Sequence, residues 1–220
     1  MIDQEILVDR SPGEIRAAIL SNGRLKDILI ERAAEPSLLG AIVLASVTAV
    51  RRELAAVFLD LGDGDGYLDR FSGPPPNQGQ RLLVEVTAES HGAKAARVTT
   101  DISLHGAFMT LSPTRPDHAI ARAITAKGER RRLRDVLSRT VPEDIGALIH
   151  ANASECETAD LEVNAGALME RWSRLRDGMT DEASAAGSRV LENAPDLLIQ
   201  ARRLAPNAIV LEGRDGALFR

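Results

Sequence analysis

Residues 79–106 read GQRLLVEVTAESHGAKAARVTTDISLHG. Arg81 to Thr87 alternates apolar and polar residues, the pattern of a strand with one buried face. Ala96 to Leu104 is a second β-rich run and Ala107 to Leu111 a third. Upstream, Leu39 to Val50 and Glu53 to Leu61 are apolar and rich in strand formers. Gly62-Asp63-Gly64-Asp65-Gly66 reads as a tight turn, Tyr67-Leu68 follows, and Gly73-Pro74-Pro75-Pro76 marks a loop. About five short strands joined by Gly-rich turns, in fewer than eighty residues, suit a small barrel such as an OB-fold.

The flanks read differently. Glu5 to Val8 is a short strand. Glu14 to Leu20 and Leu25 to Ile30 flank Ser21-Asn22-Gly23-Arg24, and Asn-Gly between apolar runs predicts a hairpin because both residues tolerate positive φ. Pro36 interrupts the pattern near Ala33 to Ser37. Beyond Pro113 the period lengthens. Lys127 to Arg139 predicts a helix with Leu133, Val136 and Leu137 on one face, and Thr158 to Asp177 a longer one carrying Leu161, Leu168, Trp172 and Leu175. Gly146 to His150 reads as a strand, and Leu197 to Ala201 and Ala208 to Leu211 as closing strands. The fold class is α+β.

Composition narrows the function classes. With 220 residues and 44% apolar content the chain can bury one or two cores. A formal net charge of -5 argues against nucleic-acid binding driven mainly by counterion release, though not against a local site. One cysteine, Cys156, excludes a Cys-based zinc site or a disulfide framework within the chain, and reads as a small, partly buried residue. The N-terminus lacks a basic segment followed by an apolar one, so no signal peptide is expected. The longest apolar run, Leu38 to Val50, is too short to span a bilayer. A cytoplasmic location is expected.

Several residue groups have a functional reading beside a bland one. Phe58 and Tyr67 on neighbouring barrel strands can offer flat platforms to unpaired bases, with Lys94 meeting a phosphate; Phe58 in AAVFLDL also suits a core. Asp63 to Gly66 resembles a calcium loop, but Leu61 and Ser72 stand where that loop needs acids, so no calcium is expected. Arg130-Arg131-Arg132 and Arg134 fit a solvated helix face as well as a phosphate contact. His91, His105, His118 and His150 lack metal-ligand spacing, and an acid–base nuclease pair among them stays open.

An ordered series of segments carries a resemblance. ILVDRSPGEIRAAILSNGRLKDILIE, ELAAVFLDLG, GYLD, the block from Gly79 through HGAFMTLSP, IARAITAKGERRRLRDVL, ALIHANASECETADLEVNAGALMERWSRL and DLLIQ together resemble the N-terminal half of the bacterial ribonuclease E/G family. The resemblance implies a ribonuclease-H-like N-terminal hairpin segment (1–36), an S1-type OB barrel (37–105), a sensor-like α/β domain (106–205) and a ribonuclease-H-like remnant (206–220). It places Phe58 and Tyr67 on the family's RNA-facing aromatics and Lys94 on its RNA-contacting lysine, with Arg97 as a weaker candidate. At the 5′-phosphate sensor it has Arg-Thr where this chain has His150-Ala151. Arginine offers a permanently charged fork, histidine is mostly neutral at pH 7, and alanine has no hydroxyl, so weak or absent sensing is expected.

The family's hydrolytic domain, with two magnesium-holding aspartates, and its zinc-linking cysteine motif are expected to lie beyond Arg220. No cofactor or metal is therefore expected, no catalytic residue is assigned, and family-style tetramers are unsupported. The resemblance implies a protein that binds single-stranded RNA and modulates its processing or decay, beside a full-length nuclease or another RNA-processing protein. Two alternatives stand: an endoribonuclease using a site outside the family scheme, perhaps around His91, His105 or His150, and a protein-interaction module, which the excess of acids over bases between Ser37 and Leu104 suits. A strand edge exposed from Ile209 onward would invite a homodimer.

Overall fold

The structure, a computed structural model, describes residues 4–34, 37–69, 74–92, 94–180, 187–205 and 208–214. The first strands are β1 (Gln4–Ser11), β2 (Glu14–Ser21), β3 (Arg24–Arg32), β4 (Ile42–Arg51), β5 (Ala56–Asp60) and β6 (Asp65–Asp69). Next come β7 (Arg81–Ala88), β8 (Ala96–Thr99), β9 (Leu104–His105), β10 (Met109–Ser112) and β11 (His118–Ile120). Then follow α1 (Lys127–Thr140), β12 (Gly146–Ile149), α2 (Thr158–Thr180), β13 (Arg189–Glu192), α3 (Leu197–Leu204) and β14 (Ile209–Arg214). The chain divides into two compact units, Met1–Ala41 with Asn193–Arg220, and Ile42–Glu192.

In the first unit the sheet order is β14-β1-β2-β3, with β14 parallel to β1 and the rest antiparallel. Asn22 and Gly23 turn the β2–β3 hairpin at φ 51° and 70°, as their sequence predicts. Leu197, Ala201 and Ala205 bury against Ile6, Val8, Ala17 and Ile19. Residues 197–201 are thus helical and not the strand expected. Asp196 caps α3 by accepting a hydrogen bond from the Leu198 amide at 2.7 Å. Five residues of mixed apolar pattern do not separate the two periods, and the fourfold spacing of 197, 201 and 205 shows only over a longer window.

In the second unit β4, β5, β6, β8 and β7 pair in that order, and β7 returns to β4 to close a five-stranded barrel. Only β6–β8 is parallel. This is the closure expected of an OB-like barrel. Leu44, Val57, Leu59, Leu68, Val84, Val86 and Val98 are buried, and along β5 from Val57, β6 and β8 the buried residues alternate with more exposed ones. Two expected runs are broken. Ala55 takes φ 49° after a short 3-10 turn at Arg52–Leu54, so β5 begins only at Ala56. The Ala96 to Leu104 run splits into β8 and β9, and Ile102 buries between them.

A second sheet, β11-β12-β10-β9, packs against α1 and α2. Leu104, Met109, Leu111 and Ile149 bury with Leu133, Val136, Leu137, Leu161 and Leu168, and the barrel's Ile42 and Leu83 join the same core. β13 pairs with β4, setting Glu192 opposite Ile42, the two ends of this unit. Neither β11 nor β13 was expected from the sequence; each is three or four residues long, below the length at which alternation declares itself. Among the described residues no helix is long and apolar enough to cross a membrane.

Candidate nucleic-acid interface

Strand register assembles the first group. β5 and β6 pair Phe58 with Tyr67, and β6 and β8 pair Tyr67 with Arg97, so the three residues form one row across three strands. Their neighbours Val57, Leu59, Leu68, Ala96 and Val98 point inward and are buried. Phe58 and Tyr67 are half-buried and Arg97 is exposed. The two rings lie 5.5 Å apart between centroids and are tilted by 59°, a favourable aromatic geometry. Phe58 is thus an outward residue of the barrel wall, not part of its core.

Charges around the row are mixed. Asp60 and Asp65 form the next row on one side, and the buried Ala56 with the exposed Asp69 on the other. Asp60 is engaged: its Oδ1 accepts from the Gly62 amide at 2.9 Å, and its Oδ2 from the Ser188 hydroxyl at 3.0 Å. Lys94 is exposed and exchanges backbone hydrogen bonds with His91 at 3.0 and 3.1 Å. The parallel β6–β8 register puts it toward the Asp65 end of the row. Two residues that sequence reading passed over, Arg51 and Arg52, are exposed where β4 turns into β5, at the opposite end beside Ala56. Their signal was a basic pair at a strand end, in a loop that OB-folds use for contact.

A second group sits on the other sheet. The Thr110 hydroxyl is 3.1 Å from His105 Nδ1 and 2.8 Å from His150 Nε2. His150 also hydrogen-bonds the Ala107 carbonyl, so its Nε2 is the acceptor when the ring is neutral. Thr110 then donates to His150 and accepts from His105. Burial pulls the His150 pKa down, and the Ala107 bond only partly opposes this. Ala151 is exposed and Asn152 donates to the same Ala107 carbonyl at 3.1 Å. Arg171 is close, donating to the His105 carbonyl at 3.4 Å, but its guanidinium is engaged with Glu192. Gly106 keeps this backbone tight on α2, since a Cβ there would stand 2.7 Å from Asn164 Nδ2. Of the other histidines, His91 is on the barrel and His118 contacts the Ile145 carbonyl at 3.0 Å.

The arginine run of α1 is sorted by the helix. Arg130 donates to the Ala121 and Ile124 carbonyls at 3.3 and 3.0 Å. Arg132 pairs with Glu129, holding that carboxyl below its usual range, and also reaches Thr158, Ala153 and Cys156. Burial pushes the Cys156 thiol up, so it stays protonated at neutral pH. Among the described residues no three or more His, Cys, Asp or Glu side chains converge as a metal site would need.

Comparison with known proteins points one way. A family model described as the Ribonuclease E/G family matches residues 103–210. Ribonuclease G of Escherichia coli K12 is 29% identical over 195 residues, covering 79% of this chain and 40% of that protein. Ribonuclease G of Haemophilus influenzae is 24% identical over 193 residues, with 78% and 39% coverage. Ribonuclease E of the same organism is 26% identical over 211 residues, with 86% and 22% coverage. The chain therefore spans 40% or less of the length of these relatives.

Proposed function

The chain belongs to the ribonuclease E/G family, and on that premise we propose that it binds single-stranded RNA on the outward face of its barrel. The observation that carries this reading is the row Phe58–Tyr67–Arg97. Two half-buried rings on adjacent strands are stacking platforms, and each stacked base contributes about 1–3 kcal/mol whatever its identity. Arg97 and Lys94 meet the backbone at one side of the rings, and Arg51 and Arg52 flank the other. On this reading the barrel is an S1-type domain, the layer of α1 and α2 a sensor-like domain, and the first unit's sheet ribonuclease-H-like. The protein then modulates RNA processing or decay beside a full-length nuclease or another RNA-processing protein.

His150 and Ala151 are proposed as a sensor position without phosphate affinity. A neutral imidazole bonded to Thr110 offers a phosphate no charge. RNA carrying a 5′-monophosphate and RNA carrying a 5′-hydroxyl are expected to bind equally.

Fluorescence anisotropy with a labelled single-stranded RNA tests the main reading. Phe58→Ala/Tyr67→Ala is expected to weaken binding by about tenfold or more. Parental affinity in a folded double variant would overturn it. Salt-insensitive capture of a protein, with no RNA affinity, would move the interaction-module reading forward.

One observation favours hydrolysis as a second reading: Thr110 joins His105 and His150, bringing together two candidate acid–base groups. RNA cleavage that His105→Ala and His150→Ala abolish, in folded protein, supports it. RNA left intact by the parent chain removes it.

A further inference from the structure

The two rings of the barrel face stand beside Asp60, Asp65 and Asp69. Bases can stack there, but a phosphate backbone laid along the same strands meets acids as often as bases. The clearest surplus of positive charge in this unit is elsewhere. From Ala121 to Arg134 six cations accompany one acid, Glu129, and Glu129 is already paired with Arg132.

Arg122 precedes the helix, and helical spacing divides the cations of α1. Arg130 and Arg132 are half-buried and turned to carbonyls and Glu129. Arg139 pairs with Glu162 at 2.9 Å. Lys127, Arg131 and Arg134 follow the i, i+4, i+7 pattern of one face. All three are exposed, and none forms an ion pair or side-chain hydrogen bond among the described residues. Lys127 does not serve the helix, because it lies in the first turn of α1, where the macrodipole disfavours positive charge. The stripe runs for about 10 Å along the helix axis.

We propose that this outward stripe of α1, Lys127, Arg131 and Arg134, is a separate contact for the RNA sugar–phosphate backbone. The inference rests on the RNA-binding reading given above. Unpaired guanidiniums match the fixed, permanently charged oxygens of phosphate in bidentate geometry. An acidic polypeptide would satisfy the same charges but would leave the aromatic row of the same unit without a use, whereas RNA uses both. Affinity then divides by chemistry: stacking on the two rings, which salt barely changes, and ion release at the cations flanking them and at α1, which salt opposes.

The test is the salt dependence of binding to a labelled single-stranded RNA, measured from 50 to 200 mM KCl. Each neutralised phosphate contributes about 0.7 to the slope of log K against log salt. Arg131→Gln/Arg134→Gln should make the slope shallower by about 1.4, so the variant loses about sevenfold less affinity over that range than the parent does. Arg131→Lys/Arg134→Lys should keep the parental slope. Phe58→Ala/Tyr67→Ala should lower affinity at every salt concentration with the slope intact, and Arg174→Gln, an exposed arginine on α2, should change neither. A parental slope in Arg131→Gln/Arg134→Gln, while the aromatic variant still weakens, overturns the stripe and leaves the barrel reading standing. A parent chain with no affinity for RNA sinks both. Polyglutamate that binds the parent in preference to RNA, and loses its hold in Arg131→Gln/Arg134→Gln, assigns the stripe to an acidic protein and overturns the proposal.

Discussion

Two faces of the second unit make an instructive pair. On the barrel, Phe58, Tyr67 and Arg97 line up outward on three adjacent strands, the rings half-buried against each other and Arg97 exposed. On the neighbouring sheet, His105, Thr110, His150 and Asn152 are turned to one another or to the Ala107 carbonyl. Both faces hold residue types that bind nucleic acid. Only the first leaves them available, so residue type alone does not identify a site; what each group already touches decides.

That contrast can be broken most decisively on the barrel. Phe58→Ala/Tyr67→Ala should cost about 1–3 kcal/mol of RNA binding per stacked base, read by anisotropy, while the fold loses the ring–ring contact, about 0.5–1.5 kcal/mol, and its partly buried area but stays folded. The opposite pattern, stability lost and binding kept, would mean the rings are structural. On the other sheet the order reverses. Thr110→Val removes the hydroxyl between two rings and should lower unfolding free energy in urea by about 1–3 kcal/mol, because both histidine nitrogens lose a partner. RNA affinity should stay at the parental value.

α1 repeats the comparison within one helix. Arg132→Gln should destabilise by about 1–3 kcal/mol, since it removes the Arg132 donor from Glu129 and from the Cys156 carbonyl. Arg131→Gln, one residue away and exposed, should stay within about 0.5 kcal/mol in the same denaturation series. Equal losses would erase the distinction between inward and outward arginines.

The smallest effect is on pH. His150 has its folded pKa below its unfolded value because burial disfavours the imidazolium. Its neutral form therefore supports the fold fully above the unfolded pKa, and that support fades as pH falls from there through the folded pKa. The parent's melting temperature should drop between pH 7.5 and pH 5.5, and His150→Gln should flatten that drop. A parental slope in the variant would assign the dependence to other groups.

Much of this was legible in the sequence, for identifiable reasons. Asn22-Gly23 specifies its turn locally, and the run from Arg81 to Thr87 specifies a strand, though Leu83 to Val86 are buried on both faces and not on one. The helical pattern around Leu133, Val136 and Leu137 is also local. Residues 197–201 misled because a short apolar stretch has no resolvable period, and the Asp196 cap that decides for helix is a single side chain. Phe58 and Tyr67 could be named as a pair, but their facing register depends on the β5–β6 pairing, and the place of Arg97 in the row on β6–β8. The bond from Thr110 to His150 joins residues forty positions apart, and nothing in their spacing announces it.

The pairing of β13 with β4 has a consequence for how such a chain is built. It sets Glu192 against Ile42, so the long segment between them begins and ends at one point. To the sheet that hosts it, the whole barrel and its helical layer are a short loop, and the loop-closure entropy of the host is insulated from the length of the guest. The guest can lengthen, shorten or be transplanted without restringing the sheet, provided its first and last strands still meet.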